Sequence, residues 1–187
     1  MIIQCAADFH GRKERYKQFS NSYKKTKPDI VILAGDLGHV PKDFLDVVET
    51  KIYAVYGNID GNLSHLNDKV EFIDDKIINF DNFTIVGLKD NEKISNLPIK
   101  KVDFLVTHFP PYGFQDKAIF GMHIGSKIVK EAIIQLEPKF VICGHVHENA
   151  GYSTHSKTTI VNCSIGKEGS CTIIDSESGN IEMYGYR

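Results

Sequence analysis

The chain has 187 residues, enough for one ordinary domain at roughly 100–200 residues each, so a single domain spanning 1–187 is expected. Its 42% hydrophobic and 25% charged residues are those of a globular chain with a sizeable core, and they exclude disordered, collagen-like and low-complexity classes. The 22 basic and 24 acidic residues leave a net charge of −2, which gives no reason to expect broad attraction to nucleic acid or membranes. Any anionic substrate must then be held by a local device.

No apolar run approaches the roughly 20 residues needed to cross a bilayer; the longest are 30–34 and 52–56. The opening Met-Ile-Ile-Gln-Cys-Ala-Ala-Asp has neither a basic lead nor an export-length apolar stretch, so the cytoplasm is the expected compartment. Cys5, Cys143, Cys163 and Cys171 lie far apart or within apolar runs, without Cys-x-x-Cys spacing, which predicts buried reduced thiols.

In chain order, an apolar run at 1–7 is followed by a polar segment with Tyr16, Phe19 and Tyr23 at helical spacing, then by a second run at 29–34: a βαβ pattern. Pro41 suits the first turn of a helix that buries Phe44, Leu45 and Val48 before a strand at 51–56. Short β-rich pieces at 70–73, 76–80 and 83–86, separated by Asp-Asp and Asp-Asn pairs, predict an antiparallel stretch. Next come a strand at 101–107 and a helix at 125–137 with Ile128, Val129, Ala132, Ile133 and Leu136 on one face. Pro138 stops that helix, and 139–143 is a buried strand. The tail, 150–186, carries four short β-rich segments with turns at 166–169 and 178–180.

Each of five apolar runs hands over a ligand-type residue: Asp8 and His10 after the first, Asp36 after the second, Asn58 after the third, His108 after the fourth, His145 and His147 after the fifth. In open α/β sheets the loops at the carboxyl ends of the strands converge on one crevice, so distant residues can meet there. Two Asp, one Asn and four His suit divalent Mn, Fe, Zn, Co or Ni rather than an all-oxygen calcium cage, and seven donors exceed one tetrahedral site. A shared carboxylate would divide them into two centres roughly 3.5–4 Å apart, the spacing of two-metal phosphoester hydrolases. Two cations would neutralise phosphoryl oxygens and acidify a bridging water, so no Ser or Cys nucleophile is required. Taken singly, an Asp-x-His, a Gly-Asp or a histidine after a strand is an ordinary structural residue; five hand-overs together are not explained that way.

Asp8-Phe9-His10-Gly11, Gly35-Asp36, Gly57-Asn58-Ile59-Asp60, Thr107-His108 and Gly144-His145-Val146-His147 resemble the ordered motifs of the calcineurin-like metallophosphoesterase superfamily, over residues 8–147. More narrowly, His108-Phe-Pro-Pro, then His123-Ile-Gly-Ser and Gly-His-Val-His-Glu, resemble the small prokaryotic Icc-related phosphoesterases. The resemblance implies an α/β, four-layer αββα sandwich: two mixed β-sheets face to face, with helices outside. It also implies a first metal held by Asp8, His10, Asp36 and His147 and a second by Asp36, Asn58, His108 and His145, with Asp36 as the bridge. Of the two divalent ions' candidate identities manganese is favoured, ahead of iron, zinc, nickel and cobalt.

One position departs from the pattern. Many superfamily members carry a histidine after the Asn, which protonates the leaving group or stabilises the transition state; this chain has Ile59. An isoleucine does neither, removing roughly 10²–10⁴-fold of general acid catalysis. Either the natural substrate has a good leaving group, or another residue supplies the proton. His123 is the candidate, against the alternative of a loop histidine capping the helix near Ser126. His39 could orient a ligand or phosphate, although a solvated loop histidine suffices, and Asp60 reads equally as a brace for the Asn58 loop or a turn residue. His65, His155, Lys24, Lys25 and Lys27 read as solvated surface.

The resulting expectation is a dinuclear-metal phosphoesterase that cleaves phosphodiesters with a metal-bridging hydroxide as nucleophile, with Asn58 also near the phosphate. The motifs lack an obvious cationic clamp for the second charge of a monoester, although Arg12 could reach. The alternatives are a phosphomonoesterase on the same site and a non-catalytic metal-binding scaffold; in scaffolds of this fold the ligand set is degraded, and here all seven positions are intact. The expected partner is a small-molecule phosphoester, with no membrane partner. Nucleic acid is disfavoured for want of a basic groove, and a homo-oligomer is left open.

Overall fold

A computed structural model describes residues 1–89, 102–166 and 169–185. In chain order its elements are β1 (Ile2–Ala6), α1 (Lys13–Thr26), β2 (Ile30–Ala34), α2 (Lys42–Val47) and β3 (Lys51–Val55). There follow β4 (Val70–Phe72), β5 (Ile77–Phe80), β6 (Phe83–Gly87), β7 (Phe104–Val106), α3 (Lys127–Leu136) and β8 (Phe140–Cys143). The tail supplies β9 (Gly151–His155), β10 (Thr158–Asn162), β11 (Cys171–Asp175) and β12 (Ile181–Tyr184).

The strands form two six-stranded mixed sheets, in the orders β12-β11-β1-β2-β3-β4 and β5-β6-β7-β8-β10-β9. β1 to β4 run parallel in the first, with β11 antiparallel beside β1; β6, β7, β8 and β10 run parallel in the second. Alternation of side chains along each strand sets the layers. Ile30 and Ile32 of β2 join Ile3, Tyr53, Ile85, Phe104 and Phe140 in a core between the sheets. Val31 and Leu33 face the other way, onto Phe9, Tyr16, Phe19 and Phe44 beneath α1 and α2. On the far side, Val129, Ala132, Ile133 and Leu136 of α3 cover Leu105 and Val141. The result is the αββα sandwich, and strands buried on both faces account for runs such as Ile-Val-Ile-Leu-Ala.

Several elements differ from the sequence reading for identifiable reasons. Helix α2 ends at Val47, and Val48 is already extended, because the Tyr23 hydroxyl accepts the N–H groups of Glu49 (3.0 Å) and Thr50 (3.1 Å) and draws the chain off the helix. Leu45 is only half-buried. The stretch 70–88 is not one antiparallel unit: β4 pairs parallel with β3 in the first sheet, and only β5 and β6 form an antiparallel pair, in the second. The crossing is made at Asp74, whose carboxylate accepts the Tyr56 N–H at 3.1 Å. Lys101, residues 167–168 and Tyr186 lie outside the described residues. All four cysteines are buried.

Phe9, between Asp8 and His10, is fully buried and stacks on Tyr16 with ring centroids 4.2 Å apart. It anchors the first ligand loop in the core under α1. Phe9→Ala is therefore expected to cost about 3–5 kcal/mol of unfolding free energy, against less than about 1.5 kcal/mol for Phe9→Leu. Urea titration of the two variants checks this, and near-equal midpoints would show that the ring is not the anchor.

Candidate metal centre

The loops carrying the seven predicted donors all leave the carboxyl ends of parallel strands. β1, β2 and β3 lie side by side in one sheet, and β7 and β8 in the other. At this end the sheets are stitched together: Ala7 N–H donates to Cys163 O at 3.1 Å, and Ile165 N–H to Ala7 O at 3.1 Å. The loops also brace one another, with Asp8 N–H on Gly35 O (3.0 Å), His10 N–H on Asp36 O (2.9 Å) and Gly144 N–H on His108 O (2.9 Å).

Asp8, His10, Asp36 and His145 have φ of 66°, 52°, 55° and 69°. A non-glycine residue in this left-handed region costs of order 1 kcal/mol or more, and such residues cluster where function demands a particular aim. The neighbouring glycines are required by crowding. A Cβ on Gly57 would stand 2.0 Å from Asp36 Oδ1, and one on Gly144 2.3 Å from Ala7 Cβ and 2.9 Å from Asp8 Oδ2.

Asp8 is the centre of the cluster. It is fully buried; its Oδ2 accepts the His145 N–H at 3.0 Å, and its Oδ1 has no hydrogen-bond donor. His147 Nε2 and His10 Nε2 approach that oxygen at 3.4 and 3.8 Å, ion-pair rather than hydrogen-bond distances, and stand 3.2 Å from each other. Asp8, His10 and His147 thus place one donor atom each within 4.8 Å of one another, and so do Asp8, Asp36 and His108. Asp8 is common to both groups, whereas the superfamily resemblance implies a shared Asp36. Asn58 Oδ1 lies 3.0 Å from His108 Nε2, which is 3.5 Å from Asp36 Oδ2; the His145 ring centroid is 5.2 Å from that of His108. A buried carboxylate oxygen with no donor, faced by two imidazole nitrogens, fits a divalent metal.

Burial raises the carboxyl of Asp8, but the contact with His147 and the charge of His108 outweigh it and hold it below its ordinary value; Asp36 is lowered in the same way, against burial, by His108. Burial opposes charging His108, yet Asp36 and Asp8 beside it raise its pKa to about 9. Its Nδ1 donates to Ala34 O at 2.8 Å, which fixes the ring so that Nε2 faces Asn58 and Asp36. The contact with Asp8 raises His147, while burial lowers His10 and His145.

His123 lies outside both donor groups. Its Nδ1 is 2.6 Å from Asp116 Oδ1, and the helix behind it is capped by Ser126 itself, whose hydroxyl accepts the Val129 N–H at 3.2 Å. Capping is therefore not the role of His123. Asp60 braces the Asn58 loop by accepting N–H groups from Gly57 (2.9 Å), Gly38 (2.8 Å) and Leu37 (3.2 Å). His39, His65, His155 and Arg12 are exposed. Sequence reasoning overlooked Arg15, whose buried guanidinium donates to Asp8 O and Gly166 O beneath the first ligand loop. Its one signal was a cation on the same helical face as Tyr16 and Phe19.

The calcineurin-like phosphoesterase superfamily domain matches residues 1–171 of the chain. An uncharacterised protein of Methanocaldococcus jannaschii is 27% identical, with 87% of each chain covered. The human metallophosphoesterase domain-containing protein 1 is 34% identical over 80 residues, 42% of this chain and 23% of that one. Among solved structures, a Thermus thermophilus protein superposes with a TM-score of 0.71 at 14% identity, covering 100% of this chain and 99% of that one. The structure titled a novel archaeal phosphodiesterase superposes with a TM-score of 0.65 at 16% identity, covering 100% of both chains.

The raised His108 gives the metal-free chain a pH signature. A pKa of about 9 against an ordinary 6.5 means that its contribution to stability is complete below pH 6.5 and lost as pH rises to 9, with His147 acting in the same direction. The urea midpoint of the metal-free protein should fall across that window, and His108→Gln should flatten most of the fall. An unchanged slope in the variant would refute the assignment.

Proposed function

The chain belongs to the calcineurin-like phosphoesterase superfamily, and from that membership we propose that it is a dinuclear-metal phosphodiesterase. The observation that carries the reading is the donor-free Oδ1 of buried Asp8, faced by the ring nitrogens of His10 and His147. In this reading Asp8, His10, Asp36, Asn58, His108, His145 and His147 hold two divalent ions, manganese being favoured, with Asp36 in the shared position that the superfamily resemblance implies. When bound, the ions neutralise the phosphoryl oxygens and acidify water for in-line attack.

The protein's own groups prepare that chemistry. Ala34 O and the His145 N–H hold His108 and Asp8 in position before any ligand arrives. In the metal-free chain the acidic pair Asp8 and Asp36 retains a proton on His108; the same electron pairs serve a cation, so loading releases a proton. Asn58, with its carboxamide at the open side of His108, also contacts the phosphate. Preference for a diester is supported by the state of the cations: Arg15 is committed to Asp8 O and Gly166 O, and a diester brings one charge where a monoester brings up to two. Four buried cysteines suit the reducing cytoplasm.

With Ile59 where the superfamily often has histidine, His123 supplies the leaving-group proton in this reading. Asp116, buried and accepting N–H groups from Gly113 and Gly125 as well as binding His123, holds the ring. Burial raises the carboxyl of Asp116, but these bonds outweigh it and keep it ionised.

Manganese-reconstituted protein should hydrolyse bis-p-nitrophenyl phosphate with a higher kcat/KM than p-nitrophenyl phosphate, and Asp36→Asn should lose more than about 100-fold. A reversed preference would favour the phosphomonoesterase, and inactivity on every phosphoester would sink both. His123→Ala should slow alkyl diesters at least about 100-fold while sparing p-nitrophenyl esters, whose leaving groups need no proton. Equal losses on both would remove the acid role.

A further inference from the structure

A second surface stands beside the metal centre, on the connection from His108 to α3. Residues 116–124 fold into a tight hairpin: Ala118 N–H donates to Met122 O (2.9 Å), Ile124 N–H to Asp116 O (3.1 Å) and Gly121 N–H to Ala118 O (3.0 Å). Its base is tied to the turn that carries His147, through the Lys117 N–H on Asn149 Oδ1 at 2.8 Å. The hairpin is thus a preformed projection at the same end of the molecule as the ligand loops.

Its composition is the reverse of what an isolated hairpin tip needs. Phe120 is 95% exposed, Met122 60% and Ile119 59%; with Tyr112 and Ile124, the connection holds five of the ten large exposed apolar side chains among the described residues. Scattered single exposures are ordinary, whereas such a concentration marks a contact surface. Phe120 also has φ of 64°, a conformation that glycine or asparagine adopts far more readily than an aromatic residue. Neither solvation nor backbone preference accounts for a phenylalanine here.

The surroundings select among partners. From 109 to 130 the sequence has Lys117, Lys127 and Lys130 against one acid, Asp116, which is buried and bonded. Lys127 and Lys130 both hold their ammonium groups 5.7 Å from the Tyr112 ring centroid. Lys127 and Lys130 stand at the start of α3, where the exposed Glu131 follows them, so three lysines face one exposed acid there; Glu148 lies on the ligand turn. An apolar tip, a tyrosine and a collar of lysines match the depth profile of an anionic bilayer: acyl chains, interface, negative headgroups. A partner copy would bring the same lysines against themselves.

We propose that the 116–124 hairpin docks the protein on anionic lipid surfaces, inserting Phe120, Ile119 and Met122 while Lys117, Lys127 and Lys130 meet the headgroups. The near-neutral whole chain has no broad attraction to membranes, and the hairpin supplies a local one. Docking needs no metal, and the inserting Phe120, Ile119 and Met122 have no part in the activity proposed above.

The chain has no tryptophan, so Phe120→Trp places a sole reporter at the tip. With vesicles of phosphatidylcholine plus phosphatidylserine its emission should shift to the blue and be quenched by brominated lipid. The wild type should sediment with those vesicles, less so at high salt. Phe120→Gly should weaken sedimentation about tenfold or more, while its thermal midpoint holds or rises because the strained aromatic is gone. Three results would overturn the proposal: no shift with either anionic or pure phosphatidylcholine vesicles, unaltered sedimentation of Phe120→Gly, or burial of the introduced indole without lipid together with a doubling of mass, which would identify a second copy as the occupant.

Discussion

A buried carboxylate at the junction of two sheets organises this molecule. Asp8 sits beyond the end of β1, where water is excluded, and holding a charge there is expensive unless partners surround it. One of its oxygens has a backbone donor from the second sheet; the other has only imidazole nitrogens at ion-pair distance. His108, whose pKa is raised beside it, offsets that charge, while the bond of Ala7 to Cys163 and the turns that carry Asp8, Asp36 and His145 in left-handed backbone hold the site in place. The strain is stored by the cores on either side, which leave the loops no lower-energy arrangement.

The fold suits such a centre because two parallel arrangements point their carboxyl ends at one crevice. A single sheet brings in the loops after β1, β2 and β3; the second brings those after β7 and β8. Donors as far apart in sequence as Asp8 and His147 therefore share one volume without a long flexible loop among them. Arg15 and Asp60 belong to the same design. Neither supplies a donor to the cluster, yet each cross-links backbone groups of ligand-bearing loops, so rigid connections hold the donors in addition to their contacts with one another.

Much of this was legible beforehand. Runs such as Ile30–Ala34 announced strands buried on both faces, and the polar residue after each announced the crevice, because periodicity reports which faces are covered. What periodicity does not report is sheet membership or long-range bonding. β4 and β5 look alike in sequence but belong to different sheets, a distinction made by the Asp74–Tyr56 bond. α2 is cut short by a hydroxyl from another helix, and Arg15 looked like one more surface cation of α1. The hairpin at 116–124 was likewise indistinct, since the exposure of Phe120 follows from what does not pack on it.

Sequence alone determined the α/β class, the order of the strands along the chain and which side chains are of donor type, because these are properties of local pattern and side-chain chemistry. Only the tertiary structure decided which donors become neighbours, that Asp8 belongs to both groups of closely spaced donors, and that His123 bonds Asp116. Those are matters of distance between segments far apart in the chain, and distance is set when the sheets stack and their faces are buried, not by any residue taken singly.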